Sequence, residues 1–259
     1  MCRACGRQTS VTAGTIFDRT RSPLRMWFNA AWYITSQKTG VCAQGLQRVL
    51  GLRSYETAWA WMHKFRRAMV VPGRELLHGI VELDETYVGG VSRGHSGRSS
   101  TKVGVMVAAE MVSVHKLGRI RLKPSPHKSL QLISFAQRVI EPGSLVRTDG
   151  AQELKRLAKA GYKHERHVEL GSDVPAHVSL YGVHTVASLL KRWLEGTLHQ
   201  GLSNDHLGYY LDAFTFRFNR RASRSRGLLF HRLLEQAVRT APAPLPMLVA
   251  AKDEGEEVT

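Results

Sequence analysis

Hydrophobic residues recur at helical spacing between residues 23 and 70. A first predicted helix begins at Pro23 and carries an apolar face formed by Trp27, Phe28, Ala31, Trp32 and Ile34. Another follows the candidate cap Ser54, with an inward face formed by Ala58, Trp61, Met62 and Phe65 and an outward face formed by Lys64, Arg66 and Arg67. With the shorter helix predicted before it, this helix resembles a helix-turn-helix, although an ordinary helical hairpin has the same pattern.

The pattern changes after Pro72 and Gly73. Strands are predicted from near-continuous or alternating apolar residues at 78–90, 102–112, 118–123 and 143–149. Helices are predicted from apolar spacing at 128–140, 182–199 and 204–223. Because strands are followed by a helix and then by another strand, the expected fold class is α/β with a mixed sheet.

Net charge is the strongest global signal. The chain has 37 Lys+Arg against 21 Asp+Glu, a formal charge of +16 and a pI near 10.3, which is typical of nucleic-acid-binding proteins but also of ribosomal and membrane-surface proteins. The Gly/Ser-rich stretch 89–102 carries Arg93, Arg98 and Lys102 and is either a cationic flap or a solvated linker. No apolar run is long enough for a membrane span or a secretory signal, so a cytoplasmic location is expected.

Asp84 and Asp149 each fall at the C-terminal end of a predicted apolar strand. Neighbouring strand ends bring side chains together, and two carboxylates at one place repel each other unless a cation lies between them. Mg²⁺ suits this arrangement because it takes one or two carboxylates and keeps its other positions for water and phosphate oxygens. The alternative is that Asp84 caps a turn through Thr86 and that Asp149 caps the helix predicted after it.

Five segments in chain order carry a specific resemblance: residues 79–90, 145–150, 184–201, 206–221 and 228–234. Together they resemble the bacterial insertion-sequence transposases that have a DDE-type, RNase H-like catalytic domain and an N-terminal zinc ribbon, the ISXO-like group. Upstream stretches agree as well, so the resemblance covers residues 1–236. It implies an RNase H-like mixed sheet flanked by helices. It also implies an enzyme that uses Mg²⁺ or Mn²⁺ to cut the ends of its element and to join the freed 3′ hydroxyl to target DNA.

The resemblance also places a third metal ligand on the helix after Asp149, where this chain has His184 rather than a glutamate. A neutral imidazole binds divalent ions but favours softer metals such as Mn²⁺. Glu195 is the nearest acid, yet eleven helical residues would separate it from His184 by about 16 Å. The expected catalytic and metal-binding residues are therefore Asp84, Asp149 and His184, with the alternative that His184 is a capping or packing residue.

Basic residues on the last two predicted helices are the candidate DNA contacts. The resemblance indicates phosphate contacts for Lys191 and Arg192, which otherwise belong to a solvated helix face. Arg220 and Arg221 lie in an arginine-rich segment that is expected to follow the DNA backbone. The expected partner is double-stranded DNA, both the element's terminal repeats and the target, in the bacterial nucleoid. A homo-oligomer is expected on DNA because related enzymes act on paired ends.

Four domains are predicted. Cys2 and Cys5 have zinc-knuckle spacing, but the resemblance implies a further pair upstream, so residues 1–22 are interpreted as a partial zinc-ribbon remnant in a truncated chain, without zinc. Residues 23–72 are the helix-turn-helix-like DNA-binding domain, 73–236 the RNase H-like catalytic domain and 237–259 a disordered tail. The competing hypothesis is a catalytically inactive copy that keeps the fold and the basic surface but has an incompetent metal site.

Overall fold

The computed structural model describes residues 3–6, 9–71, 73–89, 102–125, 129–167, 180–198 and 204–250. Cys2 and residues 90–101, most of the predicted cationic loop, lie outside these ranges. Within the described ranges, no helix combines the length and the apolar character needed to cross a membrane. By their internal contacts, Met1–Pro72 and Ala222–Thr259 group into one compact unit, and Gly73–Arg221 form a second.

The secondary structure follows the hydrophobic pattern along the chain. The helices are α1 (Leu24–Ser36), α2 (Ala43–Leu50), α3 (Tyr55–Ala68), α4 (Ser129–Val139), α5 (Arg156–Lys159), α6 (Tyr181–Leu198), α7 (Leu207–Asn219), α8 (Arg226–Ala237) and α9 (Leu245–Ala250). The strands are β1 (Ile80–Val88), β2 (Val103–Ser113), β3 (Lys116–Ser125), β4 (Leu145–Asp149) and β5 (Lys163–His167). A 3-10 helix, Gln152–Lys155, precedes α5. The predicted helical region and the α/β region after it are both present.

Aromatic side chains form the core of the helical unit. Trp27 of α1 stacks on Trp61 of α3 with ring centroids 4.0 Å apart, and Phe65 packs edge-on against Trp27. Gly51 ends α2 at a φ of 62°, in the left-handed region that favours glycine, and a short turn then leads into α3. Helix α8 packs on α1 and α3, so residues 222–236 group with this unit, whereas the sequence assigned them to the catalytic domain.

Three side-chain orientations predicted for this unit are wrong. Arg66 is buried rather than outward-facing, because its guanidinium lies against His63 one turn earlier on α3, with Arg66 Nη1 donating toward His63 Nε2 at 3.3 Å. Phe28 and Trp32 are exposed, at 40% and 48%. They lie beside a narrower buried stripe of α1, formed by Trp27, Ala30, Ala31, Ile34 and Thr35.

The second unit is built on one mixed five-stranded sheet in the order β3-β2-β1-β4-β5. Strands β1, β2 and β3 are successive antiparallel neighbours, and β2 and β3 are joined by a tight connection at Val114 and His115. Strand β4 pairs parallel to β1, and β5 pairs parallel to β4. This topology is RNase H-like, so the predicted α/β fold class is confirmed.

Helices cover both faces of this sheet. On one face α4 packs over β1, β2 and β3, and the buried residues include Leu83 and Val146. On the other face α6 packs over β1 and β2, and α7 packs over β3, with Val107 and Ile120 buried beneath them. Burial on both faces explains why β1 and β2 are nearly continuously apolar. An acidic residue within such a strand therefore needs a specific partner.

Candidate active site on the sheet

Asp84 and Asp149 lie on the adjacent parallel strands β1 and β4. Asp149 ends β4 as predicted, but Asp84 lies in the middle of β1, because the pairing of β1 with β2 continues to Val88. The two strands pair with Glu82 opposite Arg147, and two residues further along each strand come Asp84 and Asp149. The same register, continued by those two residues, brings the aspartates level with each other. Neighbouring strands lie about 4.8 Å apart. Both residues are only partly buried, so their carboxylates can be reached by solvent.

Strand alternation places both aspartates on the face that α6 covers. The carboxylate of Glu82 accepts hydrogen bonds from the first turn of α6, whereas Leu83 and Val146 pack on the α4 side. Because side chains two residues apart on a strand share a face, Asp84 lies on the same face as Glu82. On β4, Val146 and Thr148 share the α4 side, so Asp149 lies on the opposite face. The two predicted acidic residues thus share one face at one level of the sheet.

Each aspartate also accepts a local backbone hydrogen bond. Asp84 Oδ1 accepts the N–H of Glu85 at 2.7 Å, and Asp149 Oδ1 accepts the N–H of Ala151 at 3.2 Å. Asp149 lies two residues ahead of Ala151, which is itself the cap of the 3-10 helix. One carboxylate oxygen of each residue is engaged in this way, and these bonds hold the carboxylates in defined orientations.

His184 lies in the first turn of α6, on the flank away from α7. The opposite flank carries Trp193, whose ring contacts Phe214 of α7 at 5.7 Å. Nine residues separate His184 from Trp193, which is about 180° around a helix. Lys191 follows His184 by two turns on the same flank, and it is exposed. Because α7 covers β3 at one side of the sheet, the flank of His184 and Lys191 faces the side of β4 and β5.

The described residues contain no cluster of three His, Cys, Asp or Glu side chains that could hold a metal ion. His184 thus does not complete such a cluster with Asp84 and Asp149. The two aspartates still fit Mg²⁺ chemistry, because this ion is commonly bound by one or two carboxylates and fills its remaining positions with water and substrate phosphates. Glu195, exposed near the end of the same continuous helix, lies too far along α6 to replace His184.

The four predicted DNA-binding residues fall into two structural classes. Lys191 and Arg192 are exposed on α6. The guanidinium of Arg220 lies 4.1 Å from the centroid of the Phe216 ring and donates to the Phe216 carbonyl at 3.2 Å. Arg221 donates to three backbone carbonyls, those of Leu117, Gly118 and Phe218, and also lies over the Phe218 ring at 4.1 Å. Burial lowers the pKa of the Arg221 guanidinium. Arg221 therefore joins the end of α7 to the start of β3.

A row of charged residues that was not predicted from the sequence crosses the same face of the sheet, two residues before the aspartates on β1 and β4. Glu82 of β1, Arg147 of β4 and Glu165 of β5 are paired in register, and Arg147 Nε donates to Glu165 Oε2 at 3.0 Å. Burial raises the pKa of Glu82, whereas the N–H groups of Val183 and Gly182 and the charge of Arg147 act to lower it. Glu82 could have been identified from the sequence, because it is a glutamate within a nearly continuous apolar strand.

His167 is a further residue beside the aspartates. It pairs in register with Asp149 on the neighbouring strand β5, and its Nε2 lies 3.2 Å from Glu165 Oε1. Asp84, Asp149 and His167 thus occupy successive strands at one level, directly beyond the row of Glu82, Arg147 and Glu165. The sequence offered little signal for His167, because the short polar strand that carries it has no apolar pattern.

Comparison with known proteins agrees with this fold. Residues 76–219 match the model of the ISXO2-like transposase domain. Over 235 residues the chain is 28% identical to an uncharacterized protein in transposable element ISH50 of Halobacterium salinarum, a match that covers 84% of this chain and 77% of the relative. A chain from the cryo-EM structure of the simian T-cell lymphotropic virus intasome in complex with PP2A regulatory subunit B56 gamma aligns over 73% of this chain and 70% of its own length. Its TM-score of 0.39 and identity of 16% are too low to carry an argument.

Proposed function

The chain belongs to the ISXO2-like transposase family, and on that premise we propose that it cleaves DNA at the ends of a mobile element and transfers the freed 3′ hydroxyl to target DNA. The observation that carries this proposal is the register of β1 and β4, which brings Asp84 level with Asp149 on one face within the matched domain. Both carboxylates are only partly buried, and each accepts a hydrogen bond from a neighbouring backbone N–H group.

Asp84 and Asp149 would hold Mg²⁺ or Mn²⁺ through their carboxylates, together with phosphate oxygens of the bound DNA. When bound, such ions activate the attacking oxygen and stabilise the leaving one during phosphodiester cleavage and strand transfer. The local bonds from the Glu85 and Ala151 N–H groups orient the two carboxylates before DNA arrives. His184, on the flank of α6 that faces this side of the sheet, would approach the ion as a further ligand once DNA is bound.

The DNA contacts proposed for this unit start at the same flank. Lys191 lies two turns from His184 and is exposed, so its ammonium can neutralise a phosphate close to the cut site. Arg192 is exposed beside it. Arg220 and Arg221 add positive charge at the end of α7, although the donors of Arg221 are largely used by backbone carbonyls. These contacts are sequence-independent, since they go to the DNA backbone.

The helical unit is proposed to bind DNA as well, with α2, the Gly51 turn and α3 as a helix-turn-helix-like element in residues 23–72. Together with residues 73–221 as the catalytic domain, this assignment gives double-stranded DNA as the partner, both terminal repeats and target, and a homo-oligomer that forms on paired ends. The tail predicted as disordered is corrected for its described part, because Leu245–Ala250 forms α9 and Leu248 is buried.

The test is strand cleavage and strand transfer by the purified full chain on DNA that carries the element's ends, with Mg²⁺ or Mn²⁺. We expect Asp84→Asn and Asp149→Asn each to lower turnover by about 100-fold or more, because a direct ligand should matter at least as much as the outer-shell partners that cost 10–100-fold. DNA binding should be retained, since neither residue is basic. Glu85→Gln is the matched control, as Glu85 lies on the same strand and points to the opposite face.

A second candidate function is DNA binding without catalysis. It is favoured by the lack, among the described residues, of a group of three His, Cys, Asp or Glu side chains that could hold a metal ion. If the native chain and Asp84→Asn give the same background cleavage while both bind the element's ends, the chain is an inactive copy and the catalytic proposal is wrong.

A further inference from the structure

Glu82 makes an unusual contact between β1 and the start of α6. Its side chain is 2% exposed, and its Oε2 accepts the N–H of Gly182 at 2.6 Å and the N–H of Val183 at 3.0 Å. The first four N–H groups of a helix have no partner within the helix, and a nearby side chain of Ser, Thr, Asp or Asn usually satisfies them. Here a carboxylate from a strand one hundred residues earlier does so. Negative charge at this end also suits the helix dipole.

The first turn of α6 lies close to the sheet, so a side chain at position 182 would crowd three neighbouring side chains. A Cβ there would lie 2.5 Å from Met111 Sδ, 2.9 Å from Glu82 Oε2 and 3.1 Å from Leu117 Cδ2. Glycine therefore allows the first turn of α6 to rest on the sheet at hydrogen-bonding distance from Glu82. The contact depends on both residues, one on the strand and one on the helix.

The neighbouring strand β4 also stabilises the buried Glu82 carboxylate, through the positive charge of Arg147. Arg147 is the register neighbour of Glu82 on β4, and its charge acts favourably on the Glu82 carboxylate. Arg147 is itself held by Glu165 through the 3.0 Å bond. A buried carboxylate without compensation is costly, so two N–H donors and a neighbouring guanidinium together explain why this one is retained within an apolar strand.

The Glu82 contact lies next to every residue of the proposed catalytic site. On β1 it is two residues from Asp84, on the same face, and on α6 its second partner Val183 directly precedes His184. Arg147 is likewise two residues from Asp149. The position of the first turn of α6 thus sets the distance from His184 and Lys191 to the two aspartates.

We propose that Glu82 is a positioning residue, which fixes the first turn of α6 to β1 and thereby holds His184 and Lys191 in register with Asp84 and Asp149. This inference rests on the proposed function for its catalytic consequence. Glu82 touches neither DNA nor metal in this role. It acts through the helix that it holds, and Gly182 is the residue that makes the contact possible.

The experiment compares Glu82→Ala and Glu82→Gln with the control Glu85→Gln in the full-length protein. We expect Glu82→Ala to lower turnover by about tenfold or more, the scale of losing a hydrogen bond to a charged group. Glu82→Gln keeps one acceptor oxygen and should recover part of the loss. Glu85→Gln keeps the Glu82 contacts and controls for the loss of a carboxylate on β1.

A double-mutant cycle with Lys191→Ala separates positioning from a general loss of stability. If Glu82 positions the flank of Lys191, Lys191→Ala should lower turnover by about tenfold in the native background. In the Glu82→Ala background it should lower turnover by less than about threefold. Equal factors in the two backgrounds would overturn the proposal, because a purely structural effect leaves the two substitutions independent.

Amide hydrogen exchange tests the contact without any need for cleavage. We expect exchange at Gly182 and Val183 to be about tenfold faster in Glu82→Ala and unchanged in Glu85→Gln, since a lost hydrogen bond exposes these N–H groups to local opening. Unchanged exchange in Glu82→Ala overturns the inference. A native chain that cleaves no DNA but shows the faster exchange overturns the proposed function instead and leaves the structural contact supported.

Discussion

Arg221 offers a direct test of whether a basic residue at the end of α7 serves the fold or the DNA. The perturbation is Arg221→Ala, which removes the guanidinium that bonds the carbonyls of Leu117, Gly118 and Phe218 and lies over the Phe218 ring. These contacts join the C-terminal end of α7 to the start of β3. Lysine cannot replace them, because it lacks the planar fork of donors.

The magnitude follows from the number of contacts and their exposure. Two of the three hydrogen bonds are exposed, so each counts toward the low end of the usual net value, about 0.5 kcal/mol, and the ring contact adds about 0.5 kcal/mol. The sum is about 2 kcal/mol of unfolding free energy. For a unit of this size, about 2–4 °C of melting temperature is lost per kcal/mol, which gives a decrease of about 4–8 °C.

The assay is thermal unfolding followed by circular dichroism, together with DNA binding in the same buffer. Lys191→Ala is the matched control, because Lys191 is exposed on α6 and should change DNA affinity without changing the melting temperature. An Arg221→Ala protein with the native melting temperature and weakened DNA binding would refute this reasoning. It would show that the guanidinium leaves the backbone carbonyls to contact phosphate.

Two further predictions concern charge. The pKa of Glu110 is lowered to about 2: burial would raise it, but hydrogen bonds from the Arg119 side chain and from the N–H groups of Arg119 and His78 outweigh that effect. The stability that Glu110 provides is therefore complete above the ordinary carboxyl pKa and declines as pH falls toward 2. In urea unfolding between pH 5 and 2, Glu110→Gln should make the unfolding free energy depend less on pH. Parallel curves for the two proteins would contradict this. Lys191→Ala should weaken DNA binding equally for all sequences and reduce the slope of log K against log salt by about 1, and an unchanged slope would exclude a phosphate contact.

Much of the fold was predictable because hydrophobic periodicity carries it. Residues in α1, α3, β1 and β2 bury what their spacing indicated, with Trp61, Phe65 and Leu83 in the core. The errors came where spacing does not report what lies beside a side chain. Arg66 has the charge of a surface residue, yet it is buried against His63, and Trp32 has the apolarity of a core residue, yet it is exposed at the edge of α1.

The candidate site divides in the same way. Asp84 and Asp149 could be selected from the sequence because each places a carboxylate in a predicted apolar strand, a conflict with burial that is visible locally. Glu82, Arg147 and His167 could not be assigned in this way, because their significance comes from the pairing of β1, β4 and β5 and from the docking of α6. Pairing register is a property of three strands together.

The amino-acid sequence by itself determined most of the helices, four of the five strands, the basic character of the chain and the two candidate aspartates, since each of these depends on residues close together along the chain. Only the tertiary structure decided that Asp84 and Asp149 are level on one face, that Glu82 holds the start of α6 and that Arg221 is bonded to β3. The physical reason is that hydrogen bonds and strand register join residues far apart in sequence, and neither leaves a local pattern to detect.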